Sequence, residues 1–272
     1  MSDDFQLFLF STEPRLIRAT VAAGVAGIVV DWERAGKRER QRGADTEINQ
    51  DTVEDLRRVR ACTPATVLCR IDGAGEGAEA EVATAADAGA DEVLVPMVRS
   101  IEQVERVLDA AGGRVRVGIL VETEDAVARA PALARLPLSR VYVGLNDLAI
   151  ERGSENIFRA VADGTVAHLR SVFAVPFGFA GLTVPELGSP IPCRLLIGEM
   201  ARLPADFTFL RRSFRRDVAG GDPAREIPRI HHALTAARAR EPGEVESDRL
   251  DLEEAIRRWR DRAPSAVAVG VT

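Results

Sequence analysis

At 272 residues, 46% hydrophobic and 29% charged, the chain is long enough to bury a large core and has the balance of a globular protein in water. Its 36 basic and 42 acidic residues leave a net charge of −6, which argues against a nucleic-acid or anionic-membrane surface. Three cysteines (Cys62, Cys69, Cys193) show no zinc spacing and argue against a disulfide framework; with no basic region before the first apolar run and no membrane-length apolar stretch, a cytoplasmic protein is expected.

In chain order, eight short apolar runs read as strands: QLFLFS, GIVVDW, TVLCRI, EVLVPM, RVGILVE, RVYVGL, FGFAGL and DFTFLR. Between them lie Ala-, Leu-, Glu- and Arg-rich stretches with apolar residues at helical spacing, such as EPRLIRATVAAGV, DTVEDLRRVRA, GAEAEVATAADAGA and SIEQVERVLDAAG. Ala23-Gly24-Val25 and Ala88-Gly89-Ala90 read as glycine helix stops that lead into the next strand. Near-continuous apolar strands alternating with helices predict an α/β fold with a parallel sheet, and eight units before Asp217 predict a (β/α)8 TIM barrel over residues 1–217. No Gly-rich dinucleotide fingerprint follows the first strand, which disfavours an open doubly wound sheet. DVAGGDP reads as a linker into a helical extension and tail at 218–272. Its helices are expected over Ala224–Arg240 and Ser247–Arg262, the second amphipathic and suited either to a neighbouring subunit or to its own barrel.

In such a barrel the chemistry gathers where strands end at their C-terminal side. Those positions hold Ser11 and Thr12, Asp31 and Glu33, Arg70 and Asp72, Pro96, Glu122 and Thr123, Asn146 and Asp147, Thr183, and Arg211, Arg212 and Ser213. Glu122 and Asp147, ending consecutive strands, supply hard oxygen ligands suited to Mg²⁺ or Mn²⁺, whose other positions go to water and substrate. Asp147 could instead cap a helix. Arg70 is a bidentate clamp for a substrate carboxylate, or else an ion-pair partner of Asp31 or Glu33. The polar stretch AGKRERQRGADTEIN reads as a long loop over the mouth, whose Lys37, Arg38, Gln41 and Arg42 either bind an anion or form a solvated face. Arg211 and Arg212 are further anion-binding candidates, or rim ion pairs. Thr183 belongs with the substrate-binding candidates, and so does Gly144, as a point of close backbone approach.

The stretches IVVDWERAGK, VLCRI, DEVLVPMVRSIEQVERVL, VGILVET and YVGLNDLA resemble the HpcH/HpaI aldolase and citrate lyase β-subunit family of the phosphoenolpyruvate/pyruvate-binding barrels, from about Phe8 to Asp217. The resemblance implies a Mg²⁺-dependent barrel acting on pyruvate-like or acyl-thioester substrates. Glu122 and Asp147 would be its metal ligands, Arg70 its carboxylate binder, and Asp31 and Glu33 neighbours of the metal's water shell. One departure stands out. The family's pyruvate aldolases carry a His just after the second-strand acid, where this chain has Arg34, and His168, His231 and His232 all fall in helix-like segments.

The expected activity is therefore carbon–carbon cleavage or aldol addition of a 2-oxo acid through a metal-stabilised enolate. The proton would pass through metal-bound water, Glu33 or Lys37. The alternatives are a lyase for an acyl-CoA thioester, its carrier held by Lys37, Arg38, Arg211 and Arg212, and a non-catalytic metabolite-binding barrel. The implied partners are a small anionic substrate and, by family tendency, further copies in a homo-oligomer, with neither nucleic acid nor membrane.

Overall fold

Each of the eight apolar runs forms a short strand: β1 (Gln6–Phe10), β2 (Gly27–Asp31), β3 (Thr66–Arg70), β4 (Glu92–Val95), β5 (Arg116–Val121), β6 (Val141–Val143), β7 (Phe177–Gly181) and β8 (Phe207–Leu210). In the computed structural model, which describes residues 5–34 and 51–260, the strands pair in parallel in chain order and β8 closes on β1. The chain is a (β/α)8 TIM barrel with extra C-terminal helices. No helix among the described residues is long and apolar enough to cross a membrane.

The ring of helices among the described residues comprises α1 (Pro14–Ala22), α2 (Val53–Cys62), α3 (Ala78–Asp87), α4 (Ile101–Ala111), α5 (Glu124–Ala128), α6 (Ala130–Leu133), α7 (Leu145–Glu151), α8 (Arg159–Ala162), α9 (Thr165–Val172), α10 (Cys193–Arg202) and α11 (Arg212–Asp217), followed by α12 (Pro223–Arg238) and α13 (Pro242–Arg260). Local chemistry sets their ends. Thr52 with Asp55, and Ser100 with Gln103, form reciprocal capping boxes on α2 and α4. Gly24 and Gly89 take positive φ after α1 and α3 and turn the chain into the next strand.

The side-chain period of a strand decides what fills the barrel. Phe8 and Phe10, Val29, Leu68, Leu94, Leu120, Tyr142, Phe207 and Phe209 form the interior apolar cluster. Two residues further along their strands stand Asp31, Arg70, Glu122 and Arg211, at the C-terminal mouth. Two residues before Leu94 and Tyr142 stand Glu92 and Arg140, at the closed end. Their carboxylate and guanidinium are buried and paired at 2.7 Å.

The appended helices cover their own barrel. Helix α12 lies against α1 and α10, and α13 against α8 and α10. Leu252 and Ile256 of α13 are buried, Trp259 meets Phe158 edge-on, and Asn156 Nδ2 donates to the Ile256 carbonyl at 2.9 Å. Helix α13 also starts five residues before its expected beginning, because Pro242 is well placed in a first turn, where its missing N–H costs nothing.

Candidate active site

Arg70, the last residue of β3, is the hub of the mouth. Its Nε and Nη2 donate to Asp31 Oδ1 and Oδ2 at 2.8 and 2.7 Å, and its Nη1 lies 2.9 Å from Glu33 Oε2. All three side chains are almost fully buried. Burial works against the guanidinium charge, but Asp31 and Glu33 more than offset it and hold Arg70 protonated. The register places Asp31 directly beside Arg70 on the neighbouring strand, which makes the bidentate pair possible. Of the two readings of Arg70, the ion pair is the one realised. The Nε/Nη2 edge that a substrate carboxylate would use in a bidentate clamp is taken by Asp31.

Asp51, which closes the turn into α2, accepts the Asp31 backbone N–H at 2.9 Å, and Trp32 Nε1 donates to the Thr52 carbonyl at 3.1 Å. The entry to α2 thus anchors the end of β2. Burial raises the Asp51 carboxyl above its ordinary value.

Glu122 follows β5 and is buried, and Asp147 lies in the first turn of α7, just past β6, nearly as buried. Two backbone features aim Glu122. Its Oε1 accepts the Met97 N–H at 2.9 Å, from a residue held at φ 52, uncommon for a side chain other than Gly. Its Oε2 lies against Gly144, where a Cβ would come within 2.9 Å of Glu122 Cβ and closer still to that oxygen. Gly144 therefore makes room for Glu122, whereas the sequence had pointed to room for a ligand. It also opens the turn that carries Asp147. Desolvation first, then the charges of Asp147 and Glu33, push the Glu122 carboxyl up to about 8, against the pull of Arg70 and the Met97 N–H.

Two close carboxylates with too little positive charge between them are a donor set that a divalent cation relieves. Among the described residues no group of three or more His, Cys, Asp or Glu side chains is arranged to hold a metal. Two carboxylates, with the remaining positions left to water and substrate, nevertheless suit Mg²⁺ or Mn²⁺, which dehydrate reluctantly. The residues present fit the ion, and Glu122 and Asp147 are the ones that would hold it.

The floor of the mouth is aromatic. Tyr142 packs 4.2 Å from Phe209 between ring centroids, Phe10 packs edge-on against Phe209 at 5.2 Å, and the Tyr142 hydroxyl donates to the Ala180 carbonyl. Ala180 sits at φ 51 where β7 slips register against β8, and that irregularity turns its carbonyl toward both Tyr142 and Thr208. Arg211 extends the inward series of β8, and its Cζ stands 4.5 Å from the centroid of the Phe10 ring.

A profile of the family described as HpcH/HpaI aldolase/citrate lyase matches residues 4–157, more than half of the chain and most of this site. The chain belongs to that family. A search of curated protein sequences found no match. Among solved structures, an HpcH/HpaI aldolase from Desulfitobacterium hafniense DCB-2 aligns with 14% identity and a TM-score of 0.57 over 89% of this chain and 95% of that one. A citrate lyase β subunit from M. tuberculosis, complexed with oxaloacetate and magnesium, aligns with 20% identity and a TM-score of 0.56 over 85% and 97%. A 3-hexulose-6-phosphate synthase from Salmonella typhimurium aligns with 19% identity and a TM-score of 0.59 over 85% and 99%. At these identities the likeness is one of fold, and the third protein shows how widely the barrel is shared.

Of the residues singled out in this HpcH/HpaI family member, Asp31, Glu33, Arg70, Glu122, Asp147 and Arg211 meet around one mouth. Thr183 does not take part: its hydroxyl donates to Asp217 Oδ2 at 2.7 Å and ties the end of β7 to α11. Arg212 opens α11. Lys37 falls outside the described residues, with Arg38, Gln41 and Arg42. Arg34 is exposed, donates its backbone N–H to Asp72 and sends its guanidinium to the Asp51 carbonyl at 2.7 Å. His168 lies in α9, and His231 and His232 lie in α12. Asp51, Met97, Phe10 and Tyr142 also build this mouth, outside the sequence candidates. Only the two aromatics carried a signal, being inward residues one step below the polar layer.

Proposed function

We propose that this family member is a divalent-metal-dependent carbon–carbon lyase, or aldolase in the reverse direction, acting on a 2-oxo acid. One observation carries the reading: Glu122 is pinned between the Met97 N–H and Gly144, beside the turn that presents Asp147, and forms with it a buried carboxylate pair at the barrel mouth. A Mg²⁺ or Mn²⁺ ion held there would supply Lewis acidity toward the oxygens of a 2-oxo acid as its enolate develops. The citrate lyase β subunit of the same fold was solved with oxaloacetate and magnesium, a 2-oxo acid and a divalent cation, which supports this chemistry.

The chain's own residues do the rest. Arg70, locked by Asp31, keeps a fixed positive charge beside the reacting group and costs no reorganisation. Glu33, 2.9 Å from Arg70, is the carboxylate placed to hold or move a proton in a mouth whose described residues include no histidine. Phe10, Tyr142 and Phe209 close the floor and keep water from the interior side.

The test is pyruvate release from 4-hydroxy-2-oxohexanoate with Mg²⁺, coupled to NADH-dependent reduction. Glu122→Gln and Asp147→Asn should each lower kcat/KM by at least about 10²–10³-fold, the scale for losing a centre that stabilises developing charge, with thermal unfolding retained. Full activity in either variant overturns the reading. Calorimetric titration with an acyl-CoA ester addresses the thioester alternative in parallel.

A further inference from the structure

Three turns at the C-terminal ends of neighbouring strands carry the carboxylate pair and its support. The turn after β4 gives the Met97 N–H to Glu122, the turn after β5 begins with Glu122 itself, and the turn after β6 presents Asp147. The register between β4 and β5 ends at Val95, and that between β5 and β6 at Val143, so the sheet alone does not fix how the three turns sit.

Arg99 joins all three. Its backbone N–H donates to Gln103 Oε1 at 2.8 Å, which seats it at the head of α4, two residues after Met97. From there Nη1 and Nη2 donate to the two carboxylate oxygens of Glu151, each at 2.8 Å, and Nη1 also reaches Asp125 Oδ2 at 3.2 Å. Asp125 follows Glu122 by three residues, in α5. Glu151 follows Asp147 by four, a spacing that puts the two on one face of α7. The Thr123 hydroxyl donates to the Val98 carbonyl at 2.5 Å and closes the same arrangement from the β5 side.

A lone ion pair at the rim adds little to stability, but this one is bidentate and networked, since Arg129 holds the other oxygen of Asp125 at 2.7 Å. Hydrogen bonds from Arg99 keep the Glu151 and Asp125 carboxyls below their ordinary values. The consequence of the clamp is geometric. Met97 stands at φ 52, a conformation that persists where the surroundings enforce it, and the ties on Val98 and Arg99 hold the two residues that follow.

We infer that Arg99 is a positioning residue: by clamping α7 to the turn after β4 it fixes Asp147 relative to Glu122 and so sets the fit of the carboxylate pair to a divalent cation. The choice of ion rests on the metal reading above; the clamp on Met97 does not.

Calorimetric titration with Mn²⁺ separates position from charge by its sign. Removing a cation near a cation site would, by Coulomb's law alone, tighten binding or, once screened by salt, leave it unchanged. Arg99→Gln should instead weaken Mn²⁺ binding by about 3–10-fold, a step below the roughly 10–100-fold usual for groups that bond a metal ligand directly, with the unfolding midpoint retained. Arg99→Lys, which keeps the charge and loses the fork, should recover part of the affinity. Unchanged or tightened binding in Arg99→Gln overturns the clamp and leaves the metal reading standing. If the unaltered protein binds no Mn²⁺, the metal reading fails, and hydrogen exchange at the Met97 amide decides the clamp. That amide should exchange about 3–10-fold faster in Arg99→Gln and in Glu151→Gln, which opens the clamp from its other side. Unchanged exchange in either variant overturns it.

Discussion

Gly144 matters for an atom it lacks. A Cβ there would press on Glu122 from 2.9 Å at its Cβ and 3.2 Å at its Cδ. With the turn fixed by α7, the glutamate would have to rotate away and give up the Met97 N–H. Gly144→Ala should therefore weaken Mg²⁺ binding by about 10–100-fold, the usual scale for disturbing what orients a ligand, as measured by calorimetric titration. Unchanged affinity would mean that Glu122 is not held where the ion binds. The same residue shows what a sequence leaves hidden. That a glycine was needed at the end of β6 was legible, but its reason lay on β5, and only the closed barrel brings the two together.

Between neighbouring elements the same limit recurs. The eight strands were readable because burial on both faces leaves continuous β-branched and aromatic runs, and the polar mouth was readable because it follows those runs by two residues. Which cation meets which anion depends on register across strands, so Arg70 with Asp31 could be posed only as one alternative of two. The appended helices illustrate it too: an apolar stripe calls for a cover without saying which. Their packing makes α13 part of the barrel's own stability. Ile256→Ala, at a side chain only 2% exposed, should lower the free energy of unfolding by about 2–5 kcal/mol in urea titrations. If α13 served mainly to join copies, the substitution would instead leave the monomer's stability alone and make the unfolding midpoint more dependent on protein concentration.

Over the whole barrel, charge is sorted by end. The mouth collects Asp31, Glu33, Glu122, Asp147, Arg70 and Arg211, an arrangement suited to a ligand. The closed end has a pair that serves the fold. Arg140 donates from Nε to Glu92 at 2.7 Å and stacks over Phe8 and Phe207, with Cζ 4.4 and 4.9 Å from their centroids, while Ser139 also donates to Glu92 at 2.6 Å. Buried ions of this kind stabilise weakly as a pair but are costly to separate, because the survivor keeps its desolvation penalty. Arg140→Ala should thus cost about 3–5 kcal/mol in guanidinium unfolding, whereas Arg140→Met combined with Glu92→Leu, which removes both charges and keeps apolar volume, should recover most of the loss. The double-mutant cycle isolates the coupling between the two. Because the pair lies at the opposite end from Glu122 and Asp147, the double variant should keep its kcat/KM per folded molecule. A large drop in kcat/KM at full stability would mean that the closed end takes part in the chemistry, against the division between a stabilising and a catalytic end that barrels of this kind generally follow.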